Sequence, residues 1–423
     1  MNIFNWVKKT WNKLGPGFVT GAADDDPSGV ATYSIAGAQF GYKLNWMALF
    51  LIPAMISIQE MCGRIGMNTG RGLAGTIKKY YSKKLLYFAV SLLAVANIIN
   101  IGADLGIMAA CMKMLFGFHH YYWLLICAIF IIWMEIGISY KHYSKFLKWM
   151  ALALCVYIAT AFLVKQDWKL IAWYTFVPHI DLKLGYILTM VGFLGTTISP
   201  YLFFWQASEQ VEQQIDQGKI RDFKQAPKIF PREIKQMQWD TKAGMIFSNL
   251  MAFFILLTTA ATLHNMGITN ISSPQQAAMA LKPLAGNFAY VLFAIGIIGI
   301  GWQSIPILAG SVGYALAETF GQRQGLSKDF KKAKEFYLII ALSTIVGLLL
   351  NLLGVDTIKA LYWAAIINGV VAVPLIAIII KLADDERIVG KFKTKKHYRI
   401  IGWSAFTLML LAVGVMVVGM VRG

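Results

Sequence analysis

Charged residues are scarce in this sequence. Only 14% of its 423 residues are Asp, Glu, Lys or Arg, whereas an ordinary soluble protein has about a quarter. Apolar segments recur along the whole chain instead, and 57% of the residues are hydrophobic. A helix needs roughly 20 mostly apolar residues to cross a hydrocarbon core about 30 Å thick. The composition therefore excludes an ordinary soluble protein and predicts an all-α polytopic membrane protein.

Residues that build metal and redox centres are also few, with four cysteines and six histidines. No cysteines have CxxC spacing, so we expect Cys62, Cys111, Cys127 and Cys155 to be reduced thiols. The histidines have no HExxH or paired ligand spacing, which argues against a structural zinc site. The apolar segments contain no pattern of a nucleophile with its base, so we expect no enzyme and no resident cofactor.

Acidic residues are outnumbered by basic ones, and the net charge is +18. Hydropathy predicts eleven spans, near residues 14–40, 44–62, 86–115, 121–139, 146–164, 184–214, 243–263, 285–319, 336–353, 360–380 and 400–421. With the N-terminus in the cytoplasm and the C-terminus outside, most Lys and Arg residues fall on the cytoplasmic side, as the positive-inside rule requires. The charge therefore indicates topology in a cell membrane, and nucleic acid is not an expected partner.

Two of the predicted spans are interrupted. "DDDPSG" breaks span 1, and "GTTISPY", with Pro200, breaks span 6. Proline removes a backbone donor and clashes with the preceding helical turn. Irregular backbone is tolerated at membrane depth only where it is buried in protein or lines a wet cavity.

Matched breaks five spans apart predict a LeuT-type fold, with five plus five spans in inverted repeats and a binding site between them. The repeats would cover about 14–164 and 184–380, with an additional span at about 400–421. No loop is long enough for a separate soluble domain. We therefore expect residues 1–423 to form a single transmembrane domain.

Three consecutive carboxylates, Asp24, Asp25 and Asp26, lie in the first interruption. One charge at the bilayer centre costs at least ~2.5–3.5 kcal/mol, so these side chains must face water, a cation or helix ends. Asp26 precedes Pro27, where extended backbone is favoured, and it could bind a hard cation such as Mg²⁺, Ca²⁺ or Mn²⁺ with nearby carbonyls. Alternatively, its carboxylate caps the second half of span 1. Asp24 and Asp25 would lie at the cavity mouth or at the flank of the break.

Residues 15–42, "GPGFVTGAADDDPSGVATYSIAGAQFGY", resemble the first span of the Nramp family of divalent-metal transporters. The family hallmark there is Asp-Pro-Gly-Asn, followed by Ala-Thr and Ala-Gly-Ala-Gln-Phe-Gly-Tyr. Its second hallmark, Met-Pro-His-Asn, falls on residues 199–202, and residues 301–318 are similar to its span 8. The resemblance implies a LeuT-type fold and a metal site at the positions of Asp26, Gly29, Ser199 and the Thr196 carbonyl.

The sequence departs from this pattern at ligand positions. Gly29 replaces the Asn amide, and Ser199 replaces the Met thioether that favours transition metals. Tyr201 occupies the position of a His that the resemblance implies in proton movement. Asn97 and Asn100 occupy roughly the positions of a span-3 acid pair in the family's proton path.

Other polar residues are candidates for the cavity lining. Asp104 lies one helical turn after Asn100 and is either a second carboxylate near the cavity or a buried residue paired with a neighbour. Ser28 and Asp25 lie beside Asp26 in the sequence. Gln303 is a polar residue in an apolar helix, where it either bonds a neighbouring helix or lines the cavity.

These departures are similar to the Nramp-related magnesium transporter branch, which the resemblance implies carries Mg²⁺ and Mn²⁺ without tight proton coupling. Mg²⁺ usually keeps several waters and contacts one or two carboxylates. We therefore expect alternating-access transport of hydrated Mg²⁺, driven largely by membrane potential.

Two alternatives stay open. One is a proton-coupled importer of Mn²⁺ or Fe²⁺, and the other is a LeuT-type transporter of an organic solute, whose carboxylate Asp26 would repel. The lipid bilayer and the metal ion are the expected partners. The sequence leaves the oligomeric state open, a monomer included.

Overall fold

The computed structural model describes residues 15–138 and 152–422. Regular structure within these ranges is helical throughout. The predicted cytoplasmic N-terminal segment, the basic loop near 141–148 and the first residues of predicted span 5 lie outside the described residues.

We number the helices in chain order. Helices α1 to α9 are Pro16–Ala22, Pro27–Phe40, Asn45–Phe50, Ile52–Thr69, Leu73–Tyr80, Lys83–Phe116, His120–Gly137, Cys155–Leu163 and Trp168–Phe176. Helices α10 to α19 are Leu184–Thr197, Pro200–Asp216, Pro231–Thr259, Pro274–Ala278, Lys282–Ala285, Ala289–Phe320, Lys334–Leu350, Thr357–Asp384, Glu386–Val389 and Lys396–Arg422. A π-helical turn, Ala260–His264, extends α12.

Eight helical segments in the described ranges are long and apolar enough to cross a membrane, and there are nine if one pair bent by 41° counts as a single span. The eight segments coincide with predicted spans 3, 4 and 6 to 11. The bent pair, α2–α3 with α4, covers the second half of predicted span 1 and all of span 2. Predicted span 5 is described only in part, by α8.

Both predicted interruptions are present. Helix α1 ends at Ala22, and α2 begins at Pro27 after Asp26, which has extended backbone. Helix α10 ends at Thr197, and α11 begins at Pro200 after an extended Ser199. Each proline occupies the first helical position, where its missing N–H leaves no hydrogen bond unmade. The two breaks therefore leave backbone groups outside the helical hydrogen-bond pattern in two different spans.

Glycines allow α1 and α10, the first halves of the two interrupted spans, to pack closely on neighbouring helices. Helix α1 packs on α12 and α10 packs on α17. A Cβ at Gly21 would lie 2.2 Å from the carbonyl carbon of Gly244, and one at Gly195 would lie 2.1 Å from the carbonyl oxygen of Ala365. Small residues allow backbones to approach this closely in membrane helices. Both α1 and α10 thus pack against their neighbours through backbone-to-backbone contact.

Candidate functional site

Asp26 joins the first break to the third predicted span. Its side chain is buried, with 2% exposure. Oδ1 accepts hydrogen bonds from the Gly29 backbone N–H at 2.6 Å and the Ser28 hydroxyl at 2.7 Å. Oδ2 accepts one from the Asn100 amide at 2.7 Å. One oxygen of the carboxylate therefore caps α2, which is the second of the two roles that the sequence left open for Asp26. The other oxygen faces α6.

Asn100 is the centre of a polar network between four helices. Its amide nitrogen also lies 3.4 Å from Asp104 Oδ2, and its oxygen accepts a hydrogen bond from the Asn368 amide at 3.2 Å. The Ser304 hydroxyl donates to Asp104 Oδ2 at 3.3 Å. Asp104 is thus buried and paired with neighbours, and Asn100 lies between it and Asp26. Its role as a second carboxylate of the cavity stays a prediction.

The second break lies across from the first. The Ser199 hydroxyl donates to the carbonyl oxygens of Thr196 at 2.6 Å and Gly195 at 3.1 Å. The Thr196 hydroxyl is buried and has no hydrogen-bond partner in the protein. A Cβ at Gly29 would lie 2.8 Å from this hydroxyl and 3.4 Å from Asp26 Oδ1. The four predicted ligand positions, Asp26, Gly29, Thr196 and Ser199, therefore occupy one region.

Asp24 and Asp25 lie at the flank of the break and are fully buried. The Ser248 hydroxyl of α12 donates to Asp24 Oδ2 at 2.6 Å and lies 3.5 Å from Asp25 Oδ1. The other oxygen of each carboxylate has no hydrogen-bond partner in the protein. Ser248 thus connects the two extra carboxylates to α12.

Three further candidates have different surroundings. The Tyr201 hydroxyl donates to the Ala23 carbonyl at 2.8 Å, where it satisfies an acceptor freed at the end of α1. The Asn97 amide donates to the Ser311 hydroxyl at 2.7 Å and so joins α6 to α15 without contacting Asp26. Gln303 is buried, and both of its amide atoms lack hydrogen-bond partners in the protein.

Asn368, like Gln303, is a polar residue in an apolar span, and the sequence predicts for it either a bond to a neighbouring helix or a place in the cavity lining. Its amide donates to Asn100.

Ser248 and Ser304, which donate to Asp24 and Asp104, were not among the candidates from the sequence. Each is a small polar residue in a largely apolar helix, and this was the available signal. Successive helical residues point about 100° apart. Composition alone therefore does not show which of the neighbours Gln303 and Ser304 faces Asp104.

No group of three or more His, Cys, Asp and Glu side chains is arranged to hold a metal ion within residues 15–138 and 152–422. The region around the breaks instead combines the capped carboxylate of Asp26 with hydroxyls, amides and freed carbonyls, while the buried carboxylates of Asp24, Asp25 and Asp104 lie nearby with other partners. Such a set can bind a cation through few direct charges and several neutral oxygens.

Comparison with known proteins gives one family and one fold. A family model described as Nramp, natural resistance-associated macrophage protein-like, matches residues 17–419. The divalent metal cation transporter MntH of Klebsiella pneumoniae is 23% identical over 424 residues, which cover 97% of this chain and 94% of that protein.

Two solved structures share the architecture. The manganese transporter of Eremococcus coleocola, in complex with an aromatic bis-isothiourea substituted compound, has a TM-score of 0.71 at 16% identity and covers 95% of this chain and 85% of its own. Mhp1, a nucleobase-cation-symport-1 family transporter, has a TM-score of 0.61 at 13% identity, with coverage of 96% and 92%. The predicted LeuT-type fold is confirmed, while the bounds of its repeats stay a prediction.

Proposed function

Because this chain belongs to the Nramp family of divalent-metal transporters, we propose that it carries hydrated Mg²⁺ as its preferred substrate, with Mn²⁺ as a second one. The chain is a multi-pass membrane transporter and not an enzyme. The metal ion is its cargo, and no resident cofactor takes part. Asp26, Gly29, Thr196 and Ser199 form the transport site in this proposal.

The observation that carries the proposal is the set of buried oxygens around a single direct carboxylate. The Thr196 hydroxyl, Asp104 Oδ1 and Asn368 Oδ1 all lack hydrogen-bond partners in the protein. Mg²⁺ sheds its waters reluctantly and usually touches protein through one or two carboxylates. Its coordinated waters then need acceptors. In this proposal, Asp26 supplies the charge and the unpartnered oxygens accept from the waters.

The ligand positions also favour a hard ion over a soft one. Ser199 supplies a hydroxyl, which already donates to the Thr196 carbonyl at 2.6 Å, and the proposed ligand set includes no sulfur. Gly29 supplies no side chain, and a Cβ at this position would crowd the Thr196 hydroxyl. Oxygen ligands suit Mg²⁺ and Mn²⁺, whereas thioethers select softer metals.

We infer little or no proton coupling. The Tyr201 hydroxyl is engaged by the Ala23 carbonyl, and a phenol in water titrates near pH 10, at about three units above neutrality. Asn100, which contacts Asp26, is a neutral amide. Neither group offers an efficient proton relay at neutral pH.

Membrane potential then supplies the driving force. A dication that enters a negative interior gains about 4.6 kcal/mol per 100 mV, twice the value for a single charge. The proposed orientation has the N-terminus in the cytoplasm and the C-terminus outside a cell membrane. Alternating access would rock the repeats, about 14–164 and 184–380, around the two breaks. The packing of α2 on α12 and of α11 on α4, which such a repeat would relate to each other, supports this symmetry, and the extra span at about 400–421 lies outside it.

Competition for uptake tests the substrate. Proteoliposomes containing the protein would be loaded with a Mn²⁺-sensitive dye, and Mn²⁺ influx would be recorded with increasing external Mg²⁺, Ca²⁺ or Cd²⁺. We expect Mg²⁺ to reduce Mn²⁺ influx and to enter in a parallel assay with a Mg²⁺ dye. Failure of a hundredfold excess of Mg²⁺ to compete or enter would favour a transition-metal importer. Uptake of a carboxylate-bearing solute in place of metals would favour the organic solute alternative.

A further inference from the structure

We propose that a second, weaker site for the hydrated divalent cation lies in a cavity at the C-terminal end of α11, walled by glutamine amides. The cavity is lined by three glutamines of α11, Gln210, Gln213 and Gln214, by Gln217 directly after this helix, and by Gln236 of α12. It would receive the ion between Asp26 and the solvent at this end of the molecule. The inference rests on the proposed transport of a hydrated cation.

The glutamines form a continuous row. Gln206, Gln210, Gln213 and Gln217 follow one another at intervals of four, three and four residues, and Gln214 adjoins Gln213, so the row follows one face of α11 to its C-cap. The row begins seven residues after Ser199, which is about 10 Å along a helix. It therefore leads from the second break directly to the cavity.

Two buried amides in this row have atoms without hydrogen-bond partners in the protein. Gln210 is 1% exposed, and neither of its amide atoms has a hydrogen-bond partner in the protein. Gln214 is 4% exposed, and its amide donates to the Met67 carbonyl at 3.3 Å while its own oxygen has no hydrogen-bond partner in the protein. A buried polar group without a partner costs about 1–3 kcal/mol. A ligand that donates hydrogen bonds to these oxygens would offset that cost, and metal-bound waters are such donors.

The charges in the cavity suit a cation that passes and is released. Lys219 and Glu233 form an ion pair with each other. Asp240 is also in the lining, and its carboxylate accepts hydrogen bonds from the backbone N–H groups of Gly15 at 2.8 Å and Gly17 at 2.7 Å. Among the described residues, the charged groups of the lining thus sum to a single negative charge, which the start of α1 already engages. This net charge disfavours an anion and attracts a dication. Because one carboxylate rather than several supplies the charge, the dication can also leave.

A buried contact separates this cavity from the first break. The Thr20 hydroxyl of α1 donates to Gln206 Oε1 at 2.7 Å, and both residues are fully buried. The first amide of the row is therefore occupied by α1 in this structure. If α1 moved away from α12, Gln206 Oε1 would be released while its amide nitrogen kept its contact with the Thr241 hydroxyl at 3.4 Å. The set of unpartnered amide oxygens would then extend toward Asp26.

Calorimetric titration of the purified full-length protein with hexaamminecobalt(III) tests the second site. This complex imitates a hydrated cation, because its ammines donate hydrogen bonds and are not shed. In an Asp26→Asn background we expect one remaining binding event. Adding Gln210→Met and Gln214→Met, which keep the side-chain length but remove the amides, should weaken that event at least tenfold. Gln210→Glu should tighten it about tenfold, a gain that misfolding cannot imitate.

Gln275→Met is the matched control, because Gln275 is exposed in α13 at the opposite end of α12 from the cavity, and it should leave the titration unchanged. Loss of all binding in Asp26→Asn would overturn the second site. Unchanged binding after the two Met substitutions would overturn it equally. Neither result overturns the transport site, which fails separately if Asp26→Asn still carries Mg²⁺ into proteoliposomes.

Discussion

The Asn100 amide donates a hydrogen bond to the Asp26 carboxylate across 2.7 Å and so ties α6 to the break between α1 and α2. The Asn100 oxygen is in turn engaged by Asn368 of α17 at 3.2 Å. A neutral side chain therefore makes the contact to Asp26 from the helix where the family resemblance implies acidic residues. The charge at the centre of the proposed site comes from Asp26 without a second carboxylate in direct contact.

Replacing Asn100 by Asp tests the importance of this neutrality. A second carboxylate beside Asp26 should bind a dication more directly, so we expect the half-saturating Mg²⁺ concentration to fall about tenfold and the maximal flux to fall because release is slower. Mg²⁺ flux into proteoliposomes measures both quantities. Asn265→Asp, at an exposed position, should change neither. An unaltered half-saturating concentration in Asn100→Asp would separate Asn100 from the site.

Asp26→Ala should abolish Mg²⁺ binding and uptake while the protein still folds. The substitution removes the proposed cation ligand and also the cap of α2, whose loss costs about 0.5–2 kcal/mol. Calorimetry and thermal unfolding in detergent distinguish loss of the ligand from loss of the fold. Asp329→Asn removes an exposed carboxylate and should bind Mg²⁺ like the unaltered protein. Normal Mg²⁺ titration by folded Asp26→Ala would remove Asp26 from the transport site.

Selectivity should change when sulfur is introduced. Ser199→Met places a thioether at the second break, and we expect stronger competition by Cd²⁺ and Mn²⁺ against Mg²⁺. Gly29→Asn alone should reduce all transport, because its Cβ would lie 2.8 Å from the Thr196 hydroxyl. Adding Thr196→Ala to it should restore part of the flux. If Ser199→Met competes with Cd²⁺ no better than the unaltered protein, ligand softness does not set the selectivity.

Gly21→Ala should destabilise the packing of α1 on α12. The added methyl group would lie 2.2 Å from the Gly244 backbone, and overpacking of this kind typically costs about 1–3 kcal/mol. We expect a lower unfolding temperature in detergent. Gly414→Ala is the matched control, because nothing lies within 4 Å of the added methyl group, and it should leave the unfolding temperature unchanged or raise it. Equal behaviour of the two variants would mean that α1 is not held by this contact.

Local chemistry made the helix breaks predictable from the sequence. Pro27 and Pro200 interrupt apolar runs, and Asp26 is too costly in a lipid-facing helix. These signals depend on neighbouring residues alone, and both breaks occur where they were expected. The alternative roles of Asp26 could not be separated in this way, because the Gly29 N–H and the Asn100 amide reach different oxygens of one carboxylate.

Contacts between distant residues were not predictable. Asn97 and Asn100 are three residues apart, but only Asn100 contacts Asp26, and the distinction depends on the rotation of α6 against its neighbours. The hydrogen bond that the Gly17 N–H donates to the Asp240 carboxylate joins residues separated by 223 positions. The sequence gives no periodic signal for such a pair, because helix packing alone brings them together.

The most direct test of the account is Mg²⁺ flux into proteoliposomes under a set membrane potential, with internal Mg²⁺ and internal pH recorded together. We predict that an inside-negative potential accelerates Mg²⁺ entry, that internal pH stays constant during entry, and that an imposed pH gradient adds no flux. Stoichiometric internal acidification with Mn²⁺, together with no entry of Mg²⁺ at any potential, would contradict the account.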